Sequence, residues 1–181
     1  MRSPCPSLTR PSIPQRDTEI RMETLTLRPL RADDGDIAGA IFFDAVHRGA
    51  AAHYTPEQRI AWAGASPNTA GWRTMCVDVD GFMAERNGEP VGFMTLDANG
   101  YIDLAFVRSD VAGTGAGWRL YQAVEARAED LGIARLTTDA SLTARPFFER
   151  QGWTVEREQT VQKGAVALTN FKMAKRLARR P

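Results

Sequence analysis

The run Val111-Ala112-Gly113-Thr114-Gly115-Ala116-Gly117-Trp118-Arg119-Leu120 constrains this chain most, because glycines at alternate positions join an apolar extended segment to a strongly helix-forming one. Without Cβ atoms the backbone there can turn tightly and approach a ligand, and the N–H groups freed at the helix start point the same way. Such a junction suits an anion, and a phosphate-bearing ligand is its natural guest. Two familiar phosphate motifs do not fit. A P-loop needs Gly-x-x-x-x-Gly-Lys-Ser/Thr, and no Lys follows these glycines. A dinucleotide fingerprint needs a third Gly where Trp118 stands. Taken alone, the run leaves open a plain flexible turn between a strand and a helix.

A length of 181 residues has room for one domain with a full core and is short for two of ordinary size. Residues 1–21 carry Pro4, Pro6, Pro11 and Pro14 without an apolar stretch fit for a signal peptide or membrane span, so they are expected to be a disordered arm. Met22, just ahead of the first strand-like run Leu25-Thr26-Leu27-Arg28-Pro29, is an alternative translation start, and residues 22–181 are expected to form a single domain. A net charge of +1 gives none of the basic excess that nucleic-acid binding needs, and Lys172, Lys175, Arg176, Arg179 and Arg180 read as a solvated charged end. Cys5 and Cys76 are the only cysteines, one of them in the arm, so no structural disulfide is expected and a cytoplasmic location fits. With His47 and His53 the only histidines, no metal site is expected.

Apolar spacing predicts a helix over 33–52, and Thr55-Pro56-Glu57-Gln58 supplies a capping box for a second to about Ala63. The Pro-, Asn- and Gly-rich stretch 64–71 reads as a loop. From Thr74 the pattern predicts three antiparallel strands at about 75–86, 91–97 and 101–107, divided by the hairpin dipeptides Asn87-Gly88 and Asn99-Gly100. Leu120, Val124, Ala128 and Leu131 make one stripe of a helix from Gly117. A strand at 134–139, a helix capped by Ser141 and stopped at Gly152, and strands at 153–161 and 165–173, turning at Lys163-Gly164, complete the chain.

With these elements in place, the chain resembles the GNAT superfamily of acyl-CoA-dependent N-acetyltransferases over roughly residues 23–176. The family's Gln/Arg-x-x-Gly-x-Gly/Ala loop falls on Ala112 to Gly117, and its Asn-x-x-Ala-x-x-x-Tyr-x-x-x-Gly-Phe block falls on Ser141, Ala144, Phe148, Gly152 and Trp153. The resemblance implies an α/β sandwich with a mixed, mostly antiparallel central sheet of about seven strands and about four helices. It implies acetyl-CoA as cosubstrate, held at the pyrophosphate by Ala112, Gly113, Thr114, Gly115, Ala116 and Gly117 and along the pantetheine by the strand edge at Phe106 and Val107, with Ser141, Ala144 and Phe148 beside it. The N–H of Val107 would face the thioester carbonyl and stabilise charge on its oxygen. Tyr54, Trp62 and Tyr101 would shape the acceptor pocket. No metal and no membrane or nucleic-acid partner is implied, and a homodimer is allowed.

Three positions depart from the family pattern. Ala112 replaces Gln or Arg at a residue that acts largely through its amide, Ser141 shortens an Asn, and Phe148 removes the phenol often used to protonate the departing thiolate. A thiol with a pKa near 8.5 leaves well without an acid, whereas an ammonium with a pKa near 10.4 must first lose a proton, at a cost of about 4–5 kcal/mol at pH 7. The base therefore matters more. Asp103, a carboxylate in the apolar strand 101–107 whose alternation groups it with Tyr101 and Ala105, is the candidate, against the alternative of an ion-paired or solvent-facing strand Asp. His47 and His53 read as surface or capping residues, and Trp62 and Trp72 as core more readily than as a substrate platform. The expected function is acetyl transfer from acetyl-CoA to a primary amine of a small molecule or peptide, by direct attack in a ternary complex. The alternative, which Phe148 and Ala112 leave open, is a catalytically inactive acyl-CoA sensor or interaction domain.

Overall fold

In the computed structural model, which describes residues 24–178, eight strands and five α-helices follow one another along the chain. The arm expected over 1–21 with Cys5, the alternative start at Met22, and Arg179 and Arg180 lie outside the described residues. Strands β1 (Leu25–Pro29), β2 (Asp80–Arg86), β3 (Glu89–Leu96) and β5 (Ala105–Val107) form one antiparallel sheet in the order β1-β2-β3-β5. Strands β4 (Tyr101–Ile102), β6 (Arg135–Ser141), β7 (Thr154–Lys163) and β8 (Val166–Arg176) form a second in the order β4-β6-β8-β7, in which only the β4–β6 pairing is parallel. The Asn87-Gly88 hairpin is as expected, both residues lying at positive φ (54° and 83°).

The strand expected over 101–107 is instead broken, and two buried threonines show why. Thr138 Oγ donates to the carbonyl of Ile102 at 2.8 Å, holding β4 to β6. Across the break the N–H of Leu104 donates to Thr95 Oγ at 3.1 Å, and the N–H of Thr95 to the Leu104 carbonyl at 2.9 Å, holding β5 to β3. Ile102 and Leu104, on either side of Asp103, are therefore held to different sheets, and the three-stranded antiparallel array becomes two sheets that part beyond this point. Ala105–Val107 ends as an edge with β3 on one side only.

The helices also differ from expectation in part. Helix α1 (Gly35–Asp44) gives way to a π-helical turn over Ala45–Gly49, closed by Ala50 N–H to the Ala45 carbonyl at 2.9 Å, rather than running to residue 52. Helix α2 (Pro56–Ala63) starts on the expected box, Thr55 and Gln58 each bonding the other's backbone N–H. The supposed loop and strand start around 64–76 contain helix α3 (Thr69–Met75), because Asn68 Oδ1 accepts from the Gly71 N–H and Trp72 is buried against α1, where Gly39 leaves room for it. Cys76 is thus a buried free thiol at a helix end, not a strand residue. Helix α4 (Ala116–Asp130) buries Leu120, Tyr121, Val124 and Ala128 against both sheets, and the short α5 (Arg145–Arg150) follows a turn in which Ser141 Oγ accepts from the Ala144 N–H.

Strand β8 runs further than expected, so Lys172, Lys175 and Arg176 belong to a sheet and not to a solvated end. Burial of Phe171 and Met173 fixes its register, and the half-buried Lys175 reaches Tyr121 and Glu125 of α4. The β7–β8 turn falls on Gly164 and Ala165, one residue later than expected. Among the described residues no helix is long and apolar enough to cross a membrane.

Candidate active site

The parted sheets leave a wedge between β5 and β6, and two cavities meet in it. One, of about 430 Å³, runs along Val107, the glycine loop and Phe147. The other, of about 470 Å³, runs along Tyr101, Asp103, Asp139 and Asn170. Trp62, Ala105, Phe106, Ser141, Ala144 and Phe148 line both, so the start of β5, just past the break in the strand, and the end of β6 are their common floor.

The first cavity is lined by backbone groups in need of partners. The N–H of Arg108 donates to the Val91 carbonyl and that of Thr95 to the Leu104 carbonyl. Since bonded and non-bonded pairs alternate along an antiparallel ladder, Phe106 bonds across to Phe93, and the N–H and C=O of Ala105 and Val107 turn to the open side. Phe106, expected to share that edge, brings its ring instead, packed against Phe42, Phe93 and Trp62. At the far end Gly113 and Gly115 take φ values of 81° and 96° with nothing near their missing Cβ, so the chain can reverse into α4. No side chain caps α4, which leaves the N–H groups of Ala116, Gly117 and Trp118 facing outward with the positive end of the helix dipole. Thr114 spends its hydroxyl on the Val111 carbonyl, and Ala112 is exposed beside it. The N–H of Ser109, leading into the loop, is held by Asp44 at 2.6 Å, where α1 passes into its π-helical turn.

Carboxylates mark the second cavity. Asp103 opens into it, and partial burial, with the Asp97 and Asp139 carboxylates beyond, pushes its pKa up. Tyr101 is pushed up to about 12 by burial and by the carboxylates of Asp139, Asp103 and Asp97. Tyr54, 5% exposed, lends its ring but not its hydroxyl, which donates to the Thr169 carbonyl and accepts from the Leu142 N–H, both at 2.9 Å. Half-buried Trp62 stands edge-on to Tyr54 and Phe42 and bridges the cavities, while Trp72 is core. Phe148 is 1% exposed and packs its ring among Tyr121, Phe147 and Trp153. His47 bonds the Gly64 carbonyl and His53 is exposed, neither in the wedge. Among the described residues no group of His, Cys, Asp and Glu could hold a metal ion.

Sequence reading brought together Asp103, Tyr101, the glycines and Ser141, and the structure places all of them along these two cavities. It missed Asp139, Asn170, Thr95 and Thr138. Asp139 carried a usable signal: Leu136, Thr138 and Ala140 alternate as the buried face of β6, so Asp139 and Ser141 share the other. It also missed Trp118, which is 42% exposed in the first cavity and stacks on Tyr121.

Comparison with known proteins agrees with this geometry. Residues 50–177 match the family model of the acetyltransferase (GNAT) domain. An uncharacterized N-acetyltransferase of Escherichia coli (strain K12), YafP, is 33% identical over 153 residues, covering 84% of this chain and 96% of its own. A GCN5-related N-acetyltransferase from Rhodopseudomonas palustris, also 33% identical, superposes with a TM-score of 0.79 over 85% of this chain and 96% of that one. The PaiA N-acetyltransferase of Thermoplasma acidophilum, solved in complex with coenzyme A, shares the fold at 16% identity with a TM-score of 0.69 over 85% and 99% of the two chains. With its parted sheets and its uncapped glycine-led helix, the chain belongs to the GNAT family of N-acetyltransferases, enzymes of the acyltransferase class.

Proposed function

We propose that the chain transfers the acetyl group of acetyl-CoA to a primary amine of a small molecule or peptide, by direct attack with both substrates bound. The observation that carries this reading is the meeting of the two cavities at the strand break, one lined by free backbone donors and the other by carboxylates. Coenzyme A fits the first in kind. The orphan N–H groups of Ala116, Gly117 and Trp118 suit a pyrophosphate, and the open edge at Ala105 and Val107 suits the amides of a pantetheine arm, as an added strand would. Coenzyme A bound to PaiA, a protein of the same fold, supports the choice.

In this reading the amine nitrogen attacks the thioester carbon beside Ala105. The N–C bond forms, the C–S bond breaks, and its electron pair leaves with sulfur as thiolate. Val107 N–H donates to the oxygen on which charge develops. The proton lost by nitrogen goes to Asp103, directly or through water, and the raised pKa of that carboxylate makes it a stronger base. Phe148 supplies no acid, and a thiolate needs little help to depart. Ser141, whose Oγ already accepts the Ala144 N–H, keeps its own proton free to donate to the pantetheine arm.

Calorimetry with coenzyme A and a thiol-release assay over amines, peptides and aminoglycosides test the proposal together. Binding with acetyl-CoA turnover on at least one amine is the expected result. Binding without turnover across the panel supports the sensor instead, and absence of binding overturns both.

A further inference from the structure

The second cavity has hydrogen-bond acceptors in excess of donors. Asn170 Oδ1 is buried in the protein with no hydrogen-bond partner, an unusual state for a polar atom. Asn170 pairs with Ser141 across the β6–β8 ladder and so shares with it and Asp139 the face of the sheet that lines the cavity. Asp103 has neither an ion pair nor a hydrogen bond among the described residues. Asp139 faces Tyr101 and forms an ion pair with Lys172, loose at 3.6 Å and on a solvent-exposed lysine. The lysine that lines the cavity, Lys163, is exposed at the end of β7. An acceptor with no second hydrogen-bond donor would strip water from Asp139 and leave Asn170 Oδ1 as unpaired as before.

One ammonium group cannot satisfy the whole wall. The attacking nitrogen must be neutral when it reacts, and its proton goes to Asp103, so the cavity side of Asp139, held only by a loose ion pair to exposed Lys172, is open to a second cation. We infer that the acceptor is a small molecule with two cationic nitrogens, one acetylated at the strand break while the other stays protonated between Asp139 and Asn170 Oδ1. The rings of Phe42, Trp62 and Phe106 give the spacer between them an apolar wall that also tolerates positive charge. Asp139 is thus a specificity-determining residue. The inference rests on the acetyl-transfer reading above and narrows its substrate.

The experiment compares matched pairs of acceptors that differ only in the second nitrogen, cadaverine against n-pentylamine and para-xylylenediamine against 4-methylbenzylamine. In the unaltered protein at least one diamine is expected to exceed its monoamine in kcat/KM by about tenfold or more, chiefly through KM. Asp139→Asn should bring that ratio to about one, while melting temperature and coenzyme A affinity stay as they were, a pattern that a merely structural Asp139 would not give. A readout independent of turnover is calorimetric binding of the diamines to the coenzyme A-saturated protein, which should weaken about tenfold in Asp139→Asn and be recovered in part by Asp139→Glu. Equal kcat/KM for both members of each pair in the unaltered protein, or an undiminished ratio in Asp139→Asn, overturns the inference while acetyl transfer itself stands. If coenzyme A does not bind, the underlying reading falls with it.

Discussion

Asp103 bears opposite demands. The burial and neighbouring carboxylates that raise its pKa make it a better proton acceptor and also make its charged form unfavourable in the fold. The native chain therefore holds this proton to higher pH than the unfolded chain does, and stability falls as pH rises through that window. Asp103→Asn removes the penalty, so it should melt higher than the unaltered protein near neutral pH and lose that advantage below the ordinary Asp range. In the same variant turnover should fall at least about tenfold while acetyl-CoA affinity is nearly unchanged, as expected for loss of a general base. Equal turnover excludes the role. This residue was legible in the sequence because it is the lone carboxylate in the apolar run 101–107. Asn170 was not, since its isolation follows from which side chains fold against it and a lone Asn in a strand has no pattern to betray it.

At the scale of elements, the glycine loop, α4 and the Asn87-Gly88 hairpin were written locally, in backbone conformations that only certain residues adopt readily. The break at Asp103 and Leu104 was not. Its cause is competition between Thr95 and Thr138, far apart in sequence and each unremarkable where it stands. Helix α3 escaped notice for a related reason: Asn68 and Gly71 look like loop residues, and what makes them a helix start is a cap together with a buried Trp72. Thr138→Val keeps shape and volume but leaves the Ile102 carbonyl without its buried partner. It should cost about 1–3 kcal/mol in chemical denaturation. Because the same bond holds β4 apart from β5, it should also lower amine turnover more than coenzyme A affinity, and a variant with unchanged stability would show that the break is held by something else.

For the molecule as a whole, α4 is what keeps the parted sheets in one body. It packs on β2 and β3 on one side, and on the other the hydroxyl of the fully buried Tyr121 donates to Glu125 while accepting from Trp153 Nε1 and from Lys175 of β8. Tyr121→Phe leaves the indole N–H of Trp153 buried and unbonded. The expected loss is about 1–3 kcal/mol in urea denaturation with coenzyme A affinity unaffected, since this clasp lies behind the loop and not in it. A loss of affinity equal to the loss of stability would mean that the clasp also sets the loop. The open edge of β5 carries a different consequence. Main-chain atoms are the same whatever residue bears them, so a grip made of Ala105, Val107 and the glycine turn persists through most substitutions. The facing wall is made of side chains, each free to change. Descendants of such a chain can inherit one donor unaltered and drift from one recipient to the next.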